Sequence, residues 1–403
     1  MENLYKKNDF PSFENCLIML KINLLSLVFI PLCLVTIKLS AQDCADKVTA
    51  KSVEQPDTLT AQMVYPQAIH KLVNDPVLRF GQIGIKIVDV LSGETLAEHN
   101  PDMSLIPASN MKIVSTAAGL GILGPDFQFR TELQYDGNIV DSILYGNIYI
   151  KGFGDPTLAS PLMDSIPNMS IVLDSFSNEI QRLGIKRIVG KIVGDGTAFE
   201  SSTAVQTWQW EDIGNAYGAG PSGLNFHENL YDLSFQQNTE EGMPPSVSNI
   251  EPYIPDFQLI NEVTSIRKGS DESIIYATPY STLGYIRGTI PTGIGKMTIN
   301  GSLPDPPLFA AWHLRKTLIA KGIDVTDSAT TQMVLDQKNS IPLFRNRFFT
   351  WLSPRLSDIV KKANTESVNL YCEAIVRAIG LQQSGIGSNE EGIKSIKIGR
   401  AHV

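Results

Sequence analysis

Ser109 and Lys112 stand three positions apart in the stretch Pro107-Ala108-Ser109-Asn110-Met111-Lys112-Ile113-Val114-Ser115-Thr116-Ala117-Ala118. Residues i and i+3 of a helix share a face, so a helical reading of this stretch brings the Lys112 ammonium group to the Ser109 hydroxyl. A serine hydroxyl is a weak nucleophile until a neighbouring base takes its proton. Lysine can be that base where its surroundings lower its pKa towards neutrality. A serine at the start of a helix also stands at the positive end of the helix dipole, which favours a developing oxyanion. The chemistry this supports is acyl transfer through a covalent serine ester. Taken alone, the pair has a plain alternative: a helix start carrying a solvated lysine.

A second pair, Ser367 and Asn369, opens the stretch Ser367-Val368-Asn369-Leu370-Tyr371-Cys372-Glu373-Ala374. Its hydroxyl can hand a proton to a leaving group, and its amide can hold a substrate backbone. The plain alternative is a polar cap at the start of a helix.

Both pairs need helices to carry them. The small and apolar residues after Lys112 predict a buried helix that ends at Gly124-Pro125, and Leu356 to Ile379 predicts at least one more. Gln82 to Leu96 alternates around a turn at Ser92-Gly93-Glu94, which predicts a two-stranded hairpin. Short strand patterns run from Phe127 to about Glu200 around a helix near Ile171–Leu183. Residues 205–235 read as an ordered, loop-rich segment. Residues 240–305 read as β-like pieces with many Pro and Gly, and Ala310 to Lys321 as a helix. The result is a mixed α+β protein whose middle has the character of an insertion.

Composition narrows the function classes. Across 403 residues, 43% are hydrophobic and 19% charged, which suits two or three packed units. A net charge of −9 argues against nucleic-acid binding, which needs a basic stripe. Lys21 precedes an apolar run, Leu24 to Ile37, followed by Leu39-Ser40-Ala41-Gln42. This pattern predicts a cleavable signal peptide over residues 1–41, with translation starting at Met19, and so an exported, periplasmic protein. An uncleaved membrane anchor is the alternative. Of four cysteines, Cys16 and Cys33 fall in the leader, so Cys44 and Cys372 form no disulfide framework. Five scattered histidines have no metal-ligand spacing.

From about Tyr65 to Lys397 the chain resembles the class C low-molecular-mass penicillin-binding proteins, the D-alanyl-D-alanine carboxypeptidase/endopeptidases of peptidase family S13. The resemblance rests on ordered blocks: Pro107 to Lys112, Leu123-Gly124-Pro125-Asp126-Phe127, Gly152-Phe153-Gly154-Asp155-Pro156-Thr157-Leu158 and Gly194 to Phe199. It continues through Trp208-Gln209-Trp210-Glu211-Asp212, Tyr217-Gly218-Ala219, Gly301 to Pro307, Ser353-Pro354-Arg355-Leu356 and Asn364 to Tyr371.

The resemblance implies a transpeptidase-like (β-lactamase-like) α+β domain interrupted by two β-rich inserted domains, which accounts for the 258 positions between Ser109 and Ser367. Residues 42–60 would be a linker, 61–135 and 336–397 the two parts of the transpeptidase-like domain, and 136–335 the insertions. Ser109 would be the acylated nucleophile, Lys112 its base, and Ser367 and Asn369 the second motif. Asp212 matches an acidic residue that binds the free amine of the peptide's diamino acid, with Tyr217 flanking that pocket; a turn or cap is the alternative for Asp212. The implied partners are peptidoglycan stem peptides and β-lactams acting as covalent inhibitors, with no nucleic acid and no metal or organic cofactor. Peripheral association with the membrane is among the partners the resemblance allows.

The family's third motif, Lys-Thr-Gly after Ser-x-Asn, does not occur. Lys316-Thr317-Leu318 is the only Lys-Thr pair, and it lies in a helical stretch ahead of Ser367. The chain therefore reads as C-terminally truncated, with residues 398–403 a non-native tail, and is expected to be inactive and of low stability as it stands. A serine β-lactamase or esterase with the same Ser-x-x-Lys machinery and a non-catalytic exported wall-binding protein are the competing readings. Other motifs fail in context. Gly119-Leu120-Gly121-Ile122-Leu123-Gly124 follows a helix, not a strand. Gly220-Pro221-Ser222-Gly223-Leu224 lacks the last glycine of a nucleophile elbow. His227-Glu228 lacks the second His of a zinc-protease helix.

Overall fold

The alternating segment after Gly81 folds into the expected hairpin, and its turn is closed by side-chain chemistry. The Asp89 carboxylate accepts from the backbone of Leu91 at 3.0 Å and of Ser92 at 2.7 Å, while Gly93 takes φ +72°. In this computed structural model, which describes residues 61–338 and 344–400, the hairpin belongs to the smaller of two compact units, divided between Ser104 and Leu105. That unit also holds helix α1 (Ala61–Val73), which the sequence reading did not foresee. Its strands β1 (Ile85–Val88) and β2 (Thr95–His99) pair antiparallel, Ile85 opposite His99. The leader, Cys44 and the whole linker, residues 42–60, lie outside the described residues.

The larger unit begins with a 3-10 turn, Ala108–Asn110, that runs into helix α2 (Met111–Ile122). Strands β3 (Arg130–Tyr135), β4 (Asn138–Val140), β5 (Ile143–Tyr145) and β6 (Ile148–Gly152) follow, then helix α3 (Met169–Arg182). Next come β7 (Arg187–Val189), β8 (Ile192–Asp195), a short helix α4 (Trp210–Ile213) and β9 (Leu230–Gln236). The run β10 (Ser246–Glu251), β11 (Gln258–Ile266), β12 (Ile274–Tyr276), β13 (Leu283–Pro291) and β14 (Lys296–Ser302) precedes helix α5 (Pro306–Ala320). The chain continues through β15 (Asp324–Val325), β16 (Thr330–Thr331), helix α6 (Gln332–Gln337) and β17 (Asn346–Leu352). It then forms helices α7 (Leu356–Thr365), α8 (Asn369–Ser384) and α9 (Asn389–Arg400).

Among the described residues, the strands form four sheets in this unit. A five-stranded sheet has the order β16-β8-β6-β3-β17 and a four-stranded sheet the order β15-β7-β5-β4. Two three-stranded sheets have the orders β10-β9-β14 and β11-β13-β12. The stretch read as loop-rich, 205–235, thus ends in a strand, β9, central to one of them.

Helix boundaries follow local chemistry. The Asn168 side chain accepts from Ile171 N and starts α3, and Val172, Phe176 and Ile180 repeat every fourth residue on its fully buried face. Each such side chain contributes about 1.5–3 kcal/mol. Asp305 caps α5 through Leu308 N at 3.0 Å, with Pro306 and Pro307 at its first positions, where a missing N–H costs little.

Among the described residues, two large hydrophobic cores result, beside a small cluster of Tyr149, Val193 and Leu335. One joins the sheets to α3 and α5; the other gathers α7 and α8 with Phe129, Met163 and Phe199. Helix α2 packs on the second core. An ideal Cβ on Gly119 would lie 2.6 Å from Ile375 Cγ2 of α8, so only glycine lets these helices approach this closely. One turn earlier, Asn364 of α7 donates to Thr116 Oγ1 at 3.2 Å, and Thr116 donates to Lys112 O at 2.7 Å. The expectation of a buried α2 is corrected: only Thr116 and Gly119 are buried, and Ile113, one turn before Thr116, is 61% exposed.

Candidate active site

The turn before α2 and the turn before α8 meet. Ser109 Oγ accepts hydrogen bonds from Lys112 Nζ at 3.0 Å and from Ser367 Oγ at 3.0 Å. Residues 258 positions apart are thereby brought to one atom. The i, i+3 reading of Ser109 and Lys112 matches this contact, although Ser109 occupies the 3-10 turn just ahead of the helix and not its first turn.

Backbone strain accompanies the site. Ala108 takes φ +45° and Ser367 φ +57°, left-handed conformations that cost side-chain-bearing residues of the order of 1 kcal/mol or more. The cap reading of the second pair is not what forms here: the residue before α8 is Val368, and no side chain caps that end. Ser367 turns to Ser109 instead, and Asn369 Nδ2 donates to the Tyr217 carbonyl at 2.8 Å.

That bond brings the segment 208–219 to the site. Asp212 accepts from Gln209 N at 3.2 Å as a capping residue of α4, so the cap reading of Asp212 has a structural basis. Tyr217 lies nearby and is half exposed. Its hydroxyl is held above the usual tyrosine range by burial and by the negative charges of Asp212 and Glu211. Cys372, a buried free thiol on α8, is pushed up to about 11, chiefly by burial, which removes it as a rival nucleophile at neutral pH. Among the described residues, no group of three or more His, Cys, Asp or Glu is placed to hold a metal ion. Lys316 and Thr317 lie within α5, as their helical setting in the sequence implies.

The sequence profile of the D-Ala-D-Ala carboxypeptidase 3 (S13) family matches residues 65–399. The chain belongs to this family. Its S13 relatives include a D-alanyl-D-alanine carboxypeptidase of Actinomadura sp. (strain R39), 26% identical over 381 residues, which cover 92% of this chain and 66% of the relative. The D-alanyl-D-alanine carboxypeptidase DacB of Haemophilus influenzae is 23% identical over 306 residues, 74% of this chain and 58% of the relative. The crystal structure of penicillin-binding protein 4 from Haemophilus influenzae superposes with a TM-score of 0.65 at 21% identity, over 78% of this chain and 66% of that one. The same protein has been solved with a bound β-lactam. The S13 chain described by residues 61–338 and 344–400 therefore has the α+β penicillin-binding fold. It spans about two thirds or less of the length of these relatives.

Sequence reasoning missed what holds α8 in place. Arg377, 1% exposed, donates to Ser202 O at 2.7 Å, Pro221 O at 3.0 Å and Asn389 Oδ1 at 3.1 Å. Tyr371 donates to Glu228 Oε1 at 2.5 Å. The His227-Glu228 pair drew notice only as a failed metal motif; its partners are set by the fold, and no local pattern marks them.

Buried carboxyls give the S13 fold a pH dependence. Burial pushes Asp155 up to about 6 against the bonds it accepts from Thr157. Burial also pushes Glu228 up to about 7; Ser160 and Tyr371 draw it down, Asp155 raises it and Lys362 lowers it. Both folded values lie above the unfolded ones, 3.8 and 4.5, so the folded chain holds these protons more tightly. Their stabilisation is complete below about pH 4 and is lost as pH rises through 6 to 7. Asp195 acts oppositely, but lower: burial raises it, and Lys151, Thr197 and Arg345 outweigh burial to leave it below 3.8. Unfolding in urea should therefore be harder at pH 5 than at pH 8 by of the order of 3 kcal/mol. Glu228→Gln should flatten that slope, and an unchanged slope would contradict the assignment.

Proposed function

We propose that the protein is an exported serine D-Ala-D-Ala carboxypeptidase/endopeptidase that processes peptidoglycan stem peptides through an acyl-enzyme and is inhibited covalently by β-lactams. The observation that carries this reading is the single oxygen, Ser109 Oγ, bonded at 3.0 Å to both Lys112 Nζ and Ser367 Oγ.

Lys112 Nζ takes the proton of Ser109 Oγ. The oxygen attacks the carbonyl carbon of the penultimate D-Ala. Ser367 relays a proton to the leaving amine as the peptide bond breaks, and D-Ala departs. Water then attacks the ester, and Ser109 recovers its proton. The same steps on a cross-bridge release a peptide instead of D-Ala. Asn369, tied through one N–H to Tyr217, retains a second N–H and an oxygen for the substrate backbone. Asp212 and Glu211 beside Tyr217 supply negative charge for a free amine on the stem peptide.

The reading is proposed for the uninterrupted protein, meaning one that also carries a Lys-Thr-Gly strand to line the oxyanion side of the cleft; the 403 residues contain no such tripeptide. Residues 1–41, read as a leader, support export to the compartment that holds peptidoglycan. The test is release of D-alanine from a peptide ending in D-Ala-D-Ala by the uninterrupted mature protein. Release that Ser109→Ala abolishes is expected. A folded protein that releases none, yet hydrolyses nitrocefin rapidly, would overturn the carboxypeptidase reading.

A further inference from the structure

The turn 227–229 is an unusual way to build a buried connection, with Glu228 and Asn229 each 1% exposed. His227, Glu228 and Asn229 take φ of +57°, +58° and +54°, three consecutive non-glycine residues in the left-handed region. Isolated residues visit that region; a run of three persists only where surrounding contacts over-determine it.

The contacts are present. Asn229 Oδ1 accepts from Phe226 N at 3.0 Å, Asn229 Nδ2 donates to Gly220 O at 3.0 Å, and His227 N donates to Leu158 O at 2.9 Å. The outcome of this geometry is to drive the Glu228 side chain inward, where it is 1% exposed.

A carboxylate buried at this cost needs partners. Glu228 Oε1 accepts from the Ser160 hydroxyl and, at 2.5 Å, from Tyr371 OH. Ser160 Oγ in turn accepts from Leu162 N and Met163 N, both at 3.1 Å, which fixes the loop that follows Gly152 to Leu158. Tyr371, itself fully buried, lies two residues past Asn369 and four past Ser367, in the first turn of α8. One oxygen therefore ties the loop at 160, the strained turn at 228 and the start of the helix that carries the second motif.

We propose that Glu228 is a positioning residue: through Tyr371 it fixes the first turn of α8 and thereby the placement of Ser367 and Asn369 against Ser109. The inference rests on the reading of Ser367 and Asn369 as the second catalytic motif, but the position of α8 can be measured without it. A hydrogen bond from a buried phenol to a buried carboxyl oxygen leaves both groups unpaired when it is lost. Its loss should loosen the turn it anchors and leave distant helices unchanged.

The test uses Glu228→Gln, Glu228→Leu, Tyr371→Phe and the double variant Glu228→Leu/Tyr371→Phe. Hydrogen–deuterium exchange is followed in the 403-residue chain, and acylation by a fluorescent penicillin in the uninterrupted protein. Tyr371→Phe is the mildest change and keeps the test valid if Glu228→Leu does not fold. Exchange over residues 369–373 should rise about tenfold in Tyr371→Phe and Glu228→Leu, with α3 and α5 unchanged. The double variant should exchange no faster than the faster single one, because both break one link. Glu228→Gln, which keeps an acceptor oxygen, should restore most of the protection. Acylation should fall about tenfold in step with the exchange.

Unchanged exchange at 369–373, additive effects, or a rise spread evenly over the fold would overturn the proposal. A wild-type protein that takes no penicillin while exchange behaves as described would sink the proposed function and leave this positioning role standing. Normal labelling with unchanged exchange would do the reverse.

Discussion

Lys112→Ala is expected to slow acylation of Ser109 by penicillin roughly 10³-fold in the uninterrupted protein. The expectation follows from geometry. Lys112 Nζ lies 3.0 Å from Ser109 Oγ and is the basic nitrogen that touches it, while the other contact, Ser367 Oγ, is a hydroxyl with no basicity of its own. Without the amine, the proton of Ser109 has no nearby acceptor at neutral pH. Lys112→Arg should not rescue the rate, because a guanidinium stays protonated. The helix should survive both changes, since α2 is held to its neighbours by Thr116 and Gly119 and not by Lys112. Rates from time courses of label incorporation, with urea midpoints to establish folding, decide the matter. A Lys112→Ala rate within tenfold of the parent would mean that another group activates Ser109.

Arg377→Ala should cost about 3–5 kcal/mol of stability, enough to unfold much of the 403-residue chain. Arg377 is 1% exposed and reaches three separate segments: Ser202 and Pro221 through their carbonyls and Asn389 through its side chain. Glu200 adds an ion pair at 3.7 Å. Burial disfavours the charge and holds the guanidinium below its usual range, so the bonds offset a real cost. Removing the side chain strands the buried Pro221 carbonyl, frees the partly buried Ser202 and Asn389 acceptors, and leaves a cavity the width of a guanidinium. Arg377→Lys should recover little, because one ammonium cannot reach all three acceptors in the directions the planar fork does. Thermal unfolding compared with the parent would show the loss; a change under 1 kcal/mol would mean that α8 is held elsewhere.

The two parts of the site differed in how far local sequence could reveal them. Three-residue spacing and the helical pattern after Lys112 place Ser109 beside its lysine, but taken alone they leave a solvated lysine as the alternative. Nothing local pairs Ser109 with Ser367: their meeting depends on α2 packing on α8 across Gly119 and Ile375, a contact set by glycine's missing side chain. That pairing came only through the family resemblance. The helix at α3 was visible because periodicity acts over a few residues, whereas α5 begins at Pro306, ahead of the expected Ala310, because Asp305 caps it and two prolines fill its first positions. The exposed face of α2 was misread, because apolar composition says that a helix can be buried but not which side finds a neighbour. Ile113 is as apolar as Ile375, yet one faces out and the other packs inside. Glu228 was overlooked because a buried acidic residue looks the same in sequence as a solvated one. Only the left-handed turn that aims it inward and the Tyr371 hydroxyl that meets it give it meaning.

The central claim is that Ser109 becomes acylated. The most direct measurement is peptide mapping by mass spectrometry of the uninterrupted protein after incubation with benzylpenicillin. One penicilloyl group per chain, located on the peptide that contains Ser109 and absent from Ser109→Ala, is the result predicted. A folded protein that carries no adduct, or one that carries it on another residue, would contradict the account.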